Sequence, residues 1–140
     1  MSDAKNIDIK DIAKFCIPYP DQDSGLAKIA HMYICIYADD EIRLLKCQSW
    51  KPIHLHSDSL PQKRFVISSN VIQPPFTRQT IIDLDKVFIG DKTSEYVIVG
   101  ELSDEMFNEL ISQFNYDDSE KIIMSDLYKS FPVDISTSSS

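Results

Sequence analysis

The sequence predicts a mainly β domain of the α+β kind, a small barrel capped by one or two C-terminal helices. Three observations carry this reading. Short apolar runs rich in β-branched and aromatic residues recur between residues 11 and 100, with turn signals between them. After residue 103 the hydrophobic period changes to helical spacing. Strands gathered first and helices last do not make the alternating pattern of a parallel α/β sheet. At 140 residues, with 43% apolar and 10% aromatic content, the chain has material for one core. A single globular domain is expected over residues 1–135, with the polar Ser/Thr tail at 136–140 outside it.

The elements follow in order. Residues 11–17, DIAKFCI, form the first strand, closed by Pro18-Tyr19-Pro20 because each proline removes a backbone donor. Residues 21–28 are a polar loop. Residues 29–37 make a central strand, and Ala38-Asp39-Asp40 turns the chain into the next strand at 41–47. A long polar loop spans residues 50–63. Short strands are expected at 65–68, 80–84 and 85–89, with an extended or turning segment around Pro74-Pro75. Residues 96–100, YVIVG, give the last strand. Met106, Phe107, Leu110, Ile111 and Phe114 then fall on one helical stripe. Ser103 is its N-cap, and Asp104 and Glu105 sit in the first turn, where the helix dipole favours acid. A second helix over 119–131 places Ile123, Leu127 and Phe131 on one face and stops at Pro132.

Composition excludes some functions. With three glycines, and neither a GxGxxG nor a GxxxxGK[ST] pattern, the chain has no glycine-rich phosphate cradle. The net charge of −8 disfavours general adhesion to nucleic acid. The charge is unevenly spread. Lys28, Arg43, Lys46, Lys51, Lys63, Arg64 and Arg78 collect in the centre, and much of the excess acid lies at residues 101–126. Cys16, Cys35 and Cys47 are odd in number and form no CxxC pair, so they read as buried free thiols of a reducing cytoplasm. His54 and His56 lack a third ligand at metal-site spacing, so no metal is expected. The opening residues MSDAKNIDIKD carry no apolar run of a secretion signal, and no stretch is long enough to span a membrane. A cytoplasmic protein without membrane attachment is expected.

The chemistry is expected at the end of the 29–47 hairpin. Its second strand runs into Gln48-Ser49-Trp50-Lys51, opposite the loop carrying Lys28 and His31. Strand ends beside loops are where a rigid scaffold presents functional groups. His31 suits general base or acid work near neutral pH. Lys28 and Lys51 suit phosphate, Trp50 suits stacking on a base, and Arg78 suits a two-oxygen clamp, with Thr80 beside it. Each residue also has a plain structural reading: a hydrogen-bonded strand-entrance histidine, a capped strand end, solvated cations, a core tryptophan. Asp83 and Asp85 stand two apart, as paired carboxylates or as turn caps do.

Three places make the chain resemble the MazF/PemK family, SH3-like barrels of bacterial toxin–antitoxin systems. They are the strand ending in Pro18-Tyr19-Pro20, the hairpin ending in the polar pair Gln48-Ser49, and the passage TIIDLDKVF leading through YVIVG to Leu102-Ser103. The resemblance spans roughly residues 10–115. The family's Arg-Pro pair is absent, and Ala30-His31 stands at about that place. The resemblance implies an endoribonuclease that needs no metal or cofactor and cuts single-stranded RNA through a 2′,3′-cyclic phosphate. It implies His31, Gln48 and Ser49 as catalytic groups, a homodimer, and an antitoxin protein as partner. The missing arginine and the acidic charge favour a second reading, a non-catalytic SH3-like barrel that binds a protein partner. A third is an antitoxin-like or immunity-like protein whose acidic surface masks a basic partner.

Overall fold

The computed structural model describes residues 6–17, 19, 30–49, 61–91 and 95–129. Within them the protein is mainly β. The strands are β1 (Asp11–Phe15), β2 (His31–Ala38), β3 (Ile42–Ser49), β4 (Arg64–Ile67), β5 (Thr80–Asp83), β6 (Lys86–Gly90), β7 (Val97–Glu101) and β8 (Glu120–Ile123). The helices are α1 (Asp104–Gln113), a 3-10 turn at Tyr116–Asp118, and α2 (Met124–Lys129).

The sheet runs in the order β4-β5-β3-β2-β1-β7, antiparallel throughout. β3 is the branching strand. The edge of β3 away from β2 pairs with β6 at Ile42, Arg43 and Leu44, then with β5 at Cys47, Gln48 and Ser49. β5 and β6 are consecutive, with Leu84 and Asp85 between them. One edge of β3 thus carries a single chain that bends midway. The Asp83 and Asp85 carboxylates hold that bend. Asp83 Oδ1 accepts from the N–H groups of Asp85 (2.7 Å) and Lys86 (3.3 Å), and Asp85 accepts from those of Gln62 (2.7 Å) and Lys63 (3.1 Å). These two aspartates are turn caps. Burial pushes the Asp83 carboxyl up, against the backbone N–H of Asp85 and the charge of Lys86.

Both faces of the central strands are buried, which explains the nearly unbroken apolar run of β2. Tyr33 and Cys35 enter a first core with Phe15, Leu44 and Phe88. Ile34 enters a second core with Ile12, Leu45, Cys47, Ile82 and Leu110. Phe15, Tyr33 and Phe88 meet edge to face at 5.7 and 5.5 Å. Met106, Phe107 and Phe114 of the helical stripe pack on the second core around buried Leu110, whereas Ile111 is exposed. Ser103 caps α1 as expected, its Oγ accepting from the Met106 N–H at 3.2 Å.

Four expectations are corrected. The segment at 119–131 is not one helix: residues 120–123 form β8, parallel to β6, and only Met124–Lys129 is helical. Consequently β7 is not the last strand. Gln48 and Ser49 do not follow the hairpin strand but belong to it, because β5 pairs with them. Cys16 is exposed, while Cys35 and Cys47 are buried. Phe15 and Ile17 both point into the first core, so the residue between them points away.

Candidate functional site

The register of the sheet assembles the site. β1 sets Lys14 opposite Met32 and Phe15 opposite His31. β2 sets Tyr33 opposite Lys46, and two further residues of that register bring His31 level with Gln48. β5 sets Thr80 opposite Ser49. These strand ends enclose a cleft of about 320 Å³ lined by Lys14, His31, Lys46, Gln48, Ser49 and Thr80, with Phe76 in its wall. His31 and the polar pair, at opposite ends of one hairpin, are therefore neighbours.

Strand alternation divides the lining residues between the two faces of the sheet. His31 lies on the face of Tyr33 and Cys35, the first core. Lys46 and Gln48 share that face, since Leu45 and Cys47 between and beside them point into the second core. Ser49 falls on the opposite face, as does Lys14, which stands between the first-core residues Ala13 and Phe15. The cleft straddles the end of the sheet, with one group of side chains on each side.

Local bonds decide what each group can offer. Lys46 Nζ donates to Gln48 Oε1 at 3.0 Å, so what the Gln48 amide can still offer as a donor is its nitrogen. Thr80 is only 2% exposed, and its hydroxyl donates to the Arg78 carbonyl at 3.0 Å, so it holds the backbone of Arg78 in place. Burial pushes the Cys47 thiol up to about 12, so it lines the cleft as a neutral thiol and not as a nucleophile. No aspartate or glutamate lines the cleft among the described residues, whereas Lys14 and Lys46 both do. Among the described residues, the charged side chains lining the cleft are thus both cationic, in a chain of net charge −8.

Other sequence candidates lie elsewhere. Arg78 is exposed and lines a neighbouring cavity that shares Phe76 with the cleft. The Arg43 guanidinium sits 4.0 Å from the Tyr37 ring and 4.3 Å from the Tyr116 ring, with Glu41 at 2.7 Å, and so ties the hairpin to the 3-10 turn. Lys28, Trp50 and Lys51, with His54 and His56, lie outside the described residues. Lys14 and Phe76 were not singled out by the sequence. Lys14 did leave a signal, being a lone charge inside the otherwise apolar strand segment IAKF. Among the described residues no cluster of three His, Cys, Asp or Glu is placed to hold a metal ion, and no helix is long and apolar enough to cross a membrane.

No protein-family model and no curated protein matches this chain.

Proposed function

We propose that this chain is an endoribonuclease of the MazF/PemK toxin type, an SH3-like barrel that cuts single-stranded RNA at the sheet-end cleft. One observation carries the reading: cationic and donor groups approach the cleft from both faces of the sheet end, with no carboxylate lining it among the described residues. The curl of β5 and β6 around one edge of β3 supports the barrel.

The two-sided arrangement suits a cyclising transesterification. The ribose 2′-oxygen attacks phosphorus while the 5′-oxygen leaves, and in-line displacement sets these two oxygens on opposite sides. His31 takes the proton of the 2′-hydroxyl on one side. The P–O5′ bond breaks on the other, where the Lys14 ammonium gives a proton to the leaving oxygen. An alkoxide is basic enough to take it. The Gln48 amide and Ser49 hydroxyl donate to the non-bridging oxygens, and Lys46 balances the added charge of the phosphorane. The products are a 2′,3′-cyclic phosphate and a 5′-hydroxyl, and no metal enters the proton balance. A toxin of this type acts in the cytoplasm as a homodimer and is held by an antitoxin protein.

Among the described residues no arginine lines the cleft, which favours a second reading, a barrel of the same fold that binds a protein partner without catalysis. One assay separates them. Purified protein with a chelator and a mixed pool of single-stranded RNA is expected to release fragments ending in 2′,3′-cyclic phosphate. RNA left whole across many sequences contradicts the nuclease reading and favours the binding module.

A further inference from the structure

We propose that the cavity beside the cleft is a base-binding subsite for the nucleotides that flank the scissile phosphate of a single-stranded RNA. The inference rests on the nuclease reading of the cleft and adds a second set of contacts. The cavity measures about 310 Å³ and is walled by Ile72, Pro74, Pro75 and Phe76, with Arg78 at its margin. That volume lies at the lower end of small-ligand sites, roughly 300–1,000 Å³.

Three features select the occupant. Ile72 is 92% exposed, so a large aliphatic side chain is held in water beside an aromatic ring and two prolines. Such a surface suits a flat apolar face, and every nucleobase has one. Among the described residues Arg78 is the only charged one in the lining, and its fork fits the oxygens of a phosphate. Phe76 lines both cavities, so the second adjoins the cleft and lies beside the path of a chain bound there. In a duplex the base faces are already stacked, so the surface selects single strands.

The loop that builds the cavity is fixed in advance. Gln73 is 5% exposed; its Oε1 accepts from the Ser103 N–H at 3.0 Å, and its Nε2 donates to the Glu101 carbonyl at 2.9 Å. Pro75 Cδ lies 2.7 Å from where a Cβ on Gly100 would stand, so the loop packs directly on β7. A surface ordered before binding avoids the entropy of ordering it on contact.

Fully 2′-O-methylated oligonucleotides have no attacking hydroxyl, so binding can be measured without cleavage. By fluorescence anisotropy, wild-type protein is expected to bind a tetranucleotide at least about tenfold more tightly than a dinucleotide, the size expected for one stacked base. Ile72→Ser and Arg78→Gln each change an exposed residue and are expected to leave Tm unchanged. In both, the tetranucleotide-to-dinucleotide ratio is expected to fall below about threefold. A wild-type affinity that is independent of length, or variants that keep the wild-type ratio, overturns the subsite and leaves the cleft reading standing. Wild-type protein that binds no oligonucleotide overturns both. An acidic, leucine-rich peptide that displaces the tetranucleotide and loses affinity in Ile72→Ser assigns the cavity to a protein ligand, which also overturns the subsite.

Discussion

His31→Ala is expected to slow single-turnover RNA cleavage by a factor of about 10²–10⁴, the usual contribution of one positioned acid–base group. The effect is expected in the chemical step and not in binding, because the phosphate keeps Lys14, Lys46, Gln48 and Ser49. His31 is the first residue of β2 and half-buried, so a melting curve separates lost chemistry from lost structure. His31→Asn provides a second check. It restores a polar group of similar size without a titratable nitrogen, and is expected to be as slow as the alanine variant. Cleavage by both variants within about twofold of wild type would remove His31 from the mechanism.

Gly100→Val is expected to cost about 3 kcal/mol of stability, at the upper end of overpacking in a closed site. Even the first carbon of the new side chain meets Pro75 Cδ at 2.7 Å and the Pro74 carbonyl oxygen at 3.3 Å. Gly100 pairs with Ile12 across the β1–β7 ladder, so the strand cannot retreat without loosening β1. The Pro74-Pro75 segment cannot lift away without breaking the bonds of Gln73 to Glu101 and Ser103. For a domain of this size the cost corresponds to a fall in Tm of roughly 10 °C. Thermal unfolding checks it, and a shift below about 2 °C would show that the loop is not held against β7.

The hairpin of β2 and β3 was legible because its signals are local. A run of β-branched and aromatic residues, a two-aspartate turn and a return strand fix a register, and that register brings His31 to Gln48. Helix α1 was legible through its stripe and its Ser103 cap. β8 was not. Glu120–Ile123 carries no strand signal that helical periodicity does not also explain, and it becomes a strand only because β6 lies alongside. The Glu120 N–H donates to the Asp85 carbonyl at 2.7 Å, and Ile122 is buried in the first core. Both contacts join residues distant in sequence. The same reason hid part of the site. Lys14 reaches the cleft through the β1–β2 pairing, and Phe76 through a loop whose anchor is Gln73. The sequence offers Arg78 as a two-oxygen phosphate clamp in place of the missing arginine. The Thr80 hydroxyl bond to the Arg78 carbonyl fixes that backbone, while the arginine itself lines the next cavity.

The most direct test of the cleft is an amide chemical-shift titration with a 2′-O-methyl dinucleotide as the probe. Binding at the sheet end predicts that the largest shifts fall at residues 14, 31–32, 46–49 and 80, contributed by four different strands. Shifts centred instead on α1 and β7, or no shift at millimolar dinucleotide, would contradict it.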